Sequence, residues 1–294
     1  MFPNRSLNCR SLTGRSGARD FINEPYGEMT GNGQGVSADT FPRAPRTPRR
    51  RRRRLFSDDE GKRRGMTTVS VDFKPSQAAM VSHQLDIDKP VSEQVAGLRA
   101  SLVQELVCPH ERHLGGGAGL VVHAAGAFAL GALDADDCLA TAAALYRANV
   151  ESAILTAHLA THLLTPKGLL ILTGALGAVH PTPEFVGYGA SKAATHHLVQ
   201  SAAASDSARQ GQWDVLGLLP RVIDTPSNRL TMPDADRSDW TELDDLAEIC
   251  ADWYADEGGA RPPSGALVQV QTFDGLTTWT PLTVEGVQER QAEI

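Results

Sequence analysis

Apolar residues between positions 66 and 220 form short runs that alternate with helical stripes. Residues 67–72, Thr67-Thr68-Val69-Ser70-Val71-Asp72, alternate with period two and predict a short strand ending in an acid. Residues 84–88 predict a second strand. Val91, Val95, Leu98, Leu102, Val103 and Leu106 lie on one face of a helix over 91–107. A loop with three glycines then leads to a continuous apolar run at 119–123, the pattern of a buried strand. Residues 134–164 are Ala-rich and apolar on more than one face, which predicts a helix covered by the sheet and by a second subunit. A strand at 168–173, a helix starting near Phe185 and a strand at 213–219 follow. Apolar strands alternating with helices predict an α/β domain whose mostly parallel sheet is covered on both faces.

Residues 1–65 break this pattern. They mix Gly, Ser, Pro and Arg without either period and predict a disordered tail, leaving 66–294 as the folded domain. Charge divides at the same place. The tail holds 15 basic and 7 acidic residues and the remainder 13 and 28, within a net charge of -7. Six consecutive arginines at 49–54 suit non-specific contact with polyanions, nucleic acid included, because no base-reading module accompanies them. Arg5, Arg10, Arg15 and Arg19 among serines also fit an organellar address, although an apolar helical face is lacking.

An apolar fraction of 41% suffices for a sizeable core. Cys9, Cys108, Cys138 and Cys250 have no paired spacing, which argues against a zinc site or a disulfide framework and for a reducing, cytoplasmic setting. No run of 18 apolar residues predicts a membrane span. His158, His162, His196 and His197 lack a convergent acid or cysteine, so no metal is expected.

Candidate chemistry centres on Tyr188 and Lys192. Residues four apart share a helical face, so the ammonium can favour the ionised phenol. At about 4 Å and an effective dielectric near 20 the attraction is about 4 kcal/mol, an upper figure, enough to bring proton exchange toward neutral pH. A strand, a glycine-punctuated loop with this pair, a helix, a strand and a loop with Pro220, Asp224, Thr225 and Pro226 resemble the second half of short-chain dehydrogenases/reductases. Gly187-Tyr188-Gly189-Ala190-Ser191-Lys192, the run 224–229, Met232-Pro233-Asp234-Ala235-Asp236 with Trp240, and Arg261-Pro262-Pro263-Ser264-Gly265 resemble quinonoid dihydropteridine reductases. The resemblance spans about residues 67 to 282.

It implies a doubly wound, Rossmann-like domain and a catalytic set of Tyr188, Lys192 and Asn149. Asn149 would kink its helix and support a proton relay, although a mid-helix Asn also serves simply as an exposed residue. Asp72 falls where the family's acid bonds the adenosine ribose, which implies NADH with NADPH less favoured, since an acid repels a 2'-phosphate. Asp86 falls beside the adenine, or is a turn acid. Ala124, Ala125 and Gly126 would let the adenosine half of the cofactor approach the backbone. Lys192, Pro220 and Thr225 complete the implied cofactor contacts. Phe128 stands where the family stacks an aromatic on the pterin, or anchors its loop.

Two departures matter. The first strand and glycine-rich turn are absent or eroded: Thr13 to Gly17 and Thr30 to Gly35 have the composition, but neither follows an apolar strand or opens a helix. The superfamily's catalytic serine position, thirteen residues before Tyr188, is Ala175. Dihydropteridine reductases lack that serine as well, and their electron-poor substrate accepts a hydride with only a proton donor nearby. The resemblance thus implies a homodimeric enzyme that uses NADH to reduce quinonoid 6,7-dihydropteridine and recycle tetrahydrobiopterin. The missing turn keeps an alternative open, a cofactor-free relative that serves as a binding or dimerisation partner.

Overall fold

The computed structural model describes residues 66–86, 88–107, 116–256 and 259–282. The predicted tail, its glycine fragments and the arginine run lie outside the described residues. The strands form two sheets. In the smaller, β1 (Val69–Asp72) pairs in parallel with β2 (Val81–Gln84), Val69 opposite Val81. The larger contains β3 (Ala118–His123), β4 (Leu164–Thr173), β5 (Asp214–Pro220), β6 (Leu267–Phe273) and β7 (Leu276–Pro281), in that spatial order. Strands β3 to β6 are parallel, and β7 closes the far edge as an antiparallel hairpin partner of β6.

Helices cover both faces of the larger sheet. The helices in chain order are α1 (Val91–Leu106), α2 (Cys138–Leu145), a π-turn (Tyr146–Glu151), α3 (Ser152–Leu163), α4 (Val186–Ala203), α5 (Asp206–Gly211), α6 (Pro226–Thr231) and α7 (Leu243–Ala255). Leu169 to Leu172 are all fully buried, and the strand period splits them between two cores. Leu169 and Ile171, with Leu216, Leu218, Val268 and Val270, pack on Leu246, Cys250 and Trp253 of α7. Leu170 and Leu172, with Val215, pack on Ala160 of α3 and Val199 of α4. A third core joins α1 to α3 through Leu98, Leu102, Leu106, Leu159 and Leu163, with Val69 of β1 and Ala118 of β3 against it. The smaller sheet therefore shares a helical underlayer with β3 without pairing to it.

Three local expectations need correction. The strand expected at 84–88 lies at Val81–Gln84, because Asp86 ends it: the Asp86 side chain accepts the Asp88 N–H at 3.0 Å and Gln94 bonds both backbone polar groups of Asp86. The helix expected from residue 134 starts at Cys138, after turns that close from Ala135 to Ala132 and from Cys138 to Ala135. Its middle is a π-turn rather than continuous α-helix. Helix α7 and the β6–β7 hairpin are additional. Their turn, Asp274-Gly275, has both φ angles positive (50° and 69°), as the type I′ form of a two-residue hairpin requires. No helix among the described residues is long and apolar enough to cross a membrane, and no cluster of three metal-ligating side chains occurs among them.

Candidate active site

The carboxyl ends of β3 and β4 and the first two turns of α4 meet at Lys192. Its side chain is buried, and Nζ donates to the Thr173 carbonyl at the end of β4 at 2.9 Å. Burial pulls the ammonium down to about 8. The Thr173 hydroxyl donates to the His123 carbonyl at 2.6 Å, tying the two strand ends together. Ala175, at the position lacking the serine, is buried, and its N–H donates to His196 Nε2 at 3.2 Å. The Thr173 hydroxyl hydrogen is thus already engaged, and Ala175 has no hydroxyl to offer.

Asn149 is fully buried in the π-turn, which corrects the reading of an exposed helical residue. Its amide clamps the turn after β3: Oδ1 accepts the Ala127 N–H at 2.8 Å and Nδ2 donates to the Ala127 carbonyl at 3.1 Å. Nδ2 also donates to Ser191 Oγ at 2.8 Å, and that hydroxyl donates to the Tyr188 carbonyl. Every polar atom of the amide is thus committed to holding the Tyr188 helix against the strand end. The Ser152 hydroxyl donates to the Ala148 carbonyl at 2.6 Å inside the altered helical register.

Gly126 shows why a side chain is excluded from this turn. Its φ is 155°, and a Cβ would meet Asn149 Oδ1 at 2.8 Å and Lys192 Nζ at 3.3 Å. Ala124 and Ala125 just before it are exposed. Phe128 follows, 44% exposed, with its ring edge-to-face on Tyr188 at 4.9 Å and on Phe185 at 5.7 Å. A backbone bridge from Gly131 to Phe185 holds the Phe128 loop beside the start of α4.

Tyr188, Lys192, Asn149, Gly126 and Phe128 are therefore one cluster. Asp72 and Asp86 sit apart, at the ends of β1 and β2. Asp72 is exposed and accepts the Lys74 N–H at 3.2 Å. Asp86 caps its own turn and pairs with Lys89, and the Asp88 N–H foremost holds its carboxyl below the usual range. A cavity of about 340 Å³ lies here, lined by Phe73, Gln84, Leu85 and Asp86. Pro220 ends β5 buried, and Thr225 caps α6 by accepting the Asn228 N–H at 3.1 Å. Asp224 and Arg229 pair through two hydrogen bonds across the same turn, which holds the Asp224 carboxyl low.

Sequence reasoning missed Ser191, His123 and His196. Ser191 lies inside the motif quoted above, so its position was available. Nothing local marks the two histidines, which lie at a strand end and within a helix. Burial first, and then the Lys192 charge, hold both imidazoles down to about 4.

The short chain dehydrogenase family matches residues 63–236, more than half of the chain. The chain belongs to this family. It is 32% identical over 227 residues to dihydropteridine reductase of Dictyostelium discoideum, a match that covers 75% of this chain and 90% of that relative. Among solved short-chain dehydrogenases, 4-hydroxyisoleucine dehydrogenase complexed with NADH superposes with a TM-score of 0.53 at 18% identity, covering 71% of this chain and 87% of that one. An enzyme from Serratia marcescens BCRC 10948 superposes with a TM-score of 0.52 at 18% identity, covering 74% and 89%. At that identity the two structures establish the fold alone. Tyr188 and Lys192 lie in the first two turns of α4, beside the carboxyl ends of the parallel strands β3 and β4, the end of an open α/β sheet at which ligands bind.

Proposed function

We propose that the protein reduces quinonoid dihydropteridine to the tetrahydro form with NADH. The observation that carries this reading is the Phe128 ring, half-exposed and edge-to-face on Tyr188, a flat apolar platform directly beside a proton donor. The engaged Thr173 hydroxyl and the alanine at 175 add to it, because an electron-poor ring needs less polarisation than a ketone.

The residues present fit a dinucleotide at two of its three parts. Gly126, which lacks a side chain and packs closely on Asn149 and Lys192, and the exposed Ala124 and Ala125 suit close approach of the cofactor, with Lys192 offering N–H donors beyond the one given to Thr173. Asp72 and the cavity beside Asp86 suit an adenosine, and Pro220 and Thr225 would flank the nicotinamide end. For the pyrophosphate, no strand and glycine-rich turn precede β1 among the described residues. NADH, when bound, supplies a hydride.

The chain's own part is to stack the pterin on Phe128, deliver a proton from the Tyr188 phenol to a pterin nitrogen, and hold Lys192 where its charge favours the phenolate left behind. Asn149 keeps Tyr188 and the Gly126 turn in register. Leu139, Tyr146 and Ile154 are exposed along α2, the π-turn and α3, which supports a second copy of the chain as partner.

Oxidation of NADH in the presence of quinonoid dihydropterin, compared with a panel of ketones and alcohols, tests the reading. Turnover confined to the pterin is expected; turnover of ketones alone would overturn it. Absence of NADH binding in a fluorescence titration would instead select the cofactor-free alternative.

A further inference from the structure

His123 ends β3 with its ring 2% exposed between the strand and the start of α3. Its Nε2 lies 2.8 Å from Ser152 Oγ. The Ser152 hydroxyl hydrogen is committed to the Ala148 carbonyl at 2.6 Å, so Oγ meets the ring as an acceptor. Nε2 therefore carries the imidazole hydrogen, and Nδ1 is a bare lone pair. That atom is buried and has no hydrogen-bond partner among the described residues. Buried acceptors are ordinarily satisfied, and one held bare beside a reactive group asks for a donor.

The nearby donor is Lys192. Its ammonium has three N–H groups, of which one goes to the Thr173 carbonyl. The Thr173 hydroxyl in turn goes to the His123 carbonyl, so His123, Thr173 and Lys192 already form one network. A Cβ added at Gly126, three residues beyond His123, would lie 3.3 Å from Lys192 Nζ, so the ammonium sits beside the turn that follows β3, and its charge bears on the His123 ring. We propose that His123 is a positioning residue whose bare Nδ1 accepts a hydrogen bond from the Lys192 ammonium through one buried water, fixing the ammonium beneath Tyr188. A small polar site of this kind is where buried water is ordinarily held. The titratable groups gathered there are His123 from β3 and Tyr188, Lys192 and His196 from α4. Both histidines are neutral at pH 7, so each accepts without competing for the charge on Lys192.

The role in catalysis rests on the proposed pterin reduction; the hydrogen bond itself does not. His123→Leu should lower kcat roughly ten-fold with little change in the pterin KM, since only the orientation of a catalytic group is lost. It should also move the basic limb of the kcat profile to lower pH, because the charged form of Lys192 loses an acceptor. His123→Asn keeps an acceptor near the Nδ1 position while giving up the Ser152 contact, and should recover most of the rate. A merely structural ring would leave Leu and Asn equally impaired and the pH profile unmoved, which would overturn the proposal. In the Lys192→Met background, His123→Leu should have no further effect on kcat; an undiminished effect there would also overturn it.

Nitrogen-15 spectra of the full chain decide the hydrogen bond without any assay. Expected are the Nε2–H tautomer and a His123 pKa that rises in Lys192→Met. An Nδ1–H tautomer, or a His123 pKa indifferent to Lys192, would refute the proposal. Should the parent fail to reduce pterins while the spectra come out as expected, the functional reading falls and the hydrogen bond stands.

Discussion

Asn149 Nδ2 donates to Ser191 Oγ at 2.8 Å across 42 residues of sequence, and this bond joins the π-turn to the helix carrying Tyr188 and Lys192. The same amide holds both backbone polar groups of Ala127. Asn149→Ala would strand these partners in a buried setting, where an unsatisfied group costs about 1–3 kcal/mol. A loss of about 2–4 kcal/mol in urea unfolding is expected, with turnover falling as well. A change within error would show that the clamp is dispensable.

Tyr188→Phe removes the phenol while keeping the ring that packs on Phe128 and Phe185. Folding and NADH affinity should survive and turnover should fall by roughly two to four orders of magnitude, the usual worth of a positioned proton donor. Lys192→Met should weaken both turnover and NADH binding. Steady-state kinetics with fluorescence titration check the pair; parent-like values for both variants would remove them from the active site.

Asp72 is exposed at the end of β1, the position proposed above for the adenosine. Asp72→Ala should narrow the preference for NADH over NADPH, since the repulsion of a 2'-phosphate is lifted. Dissociation constants for both dinucleotides, measured side by side, are the check, and an unchanged ratio would place Asp72 outside the cofactor site.

Gly126→Ala places a methyl 2.8 Å from Asn149 Oδ1 and 3.3 Å from Lys192 Nζ, on a backbone with φ of 155°. Strain and displacement of the Asn149 clamp should together cost about 1–3 kcal/mol. Turnover should fall more than stability, because Lys192 is one of the displaced groups. Thermal unfolding beside kinetics separates the two effects.

Stability should decline as the pH falls from about 6.5 toward 4. His123 and His196 titrate at about 4 when folded, against an ordinary 6.5, so the unfolded chain binds protons there that the folded chain refuses. The sign follows: protonation favours the unfolded state, and the stability present above pH 6.5 is lost through that window. Each imidazole contributes about 3 kcal/mol at most. Urea unfolding at pH 7 and pH 4.5 should show the loss, and replacing His196 should shrink it.

Local pattern was enough for much of the fold. The runs at 119–123, 168–173 and 213–219 became β3, β4 and β5, because strands buried on both faces must be continuously apolar whatever surrounds them. Strand β1 and helix α1 were legible for the same kind of reason, an alternation and a stripe that each report a single covered face. Tyr188 and Lys192 were placed together by helical spacing alone. The Asp274-Gly275 turn is equally legible, with Leu267 to Phe273 before it as an alternating strand pattern.

Tertiary structure decided what spacing cannot encode. Residues 84–88 look like a strand, yet Asp86 and Gln94 close a turn there because α1 brings Gln94 back to the strand end. Asn149 is exposed or buried according to where the helix changes register, and its partners Ala127 and Ser191 are 22 and 42 residues away. The neutrality of His123 and His196 and the lowered Lys192 ammonium arise from burial against one another across β3, β4 and α4. Periodicity records which side of an element meets the core, whereas a protonation state depends on the particular groups that long-range packing places around it.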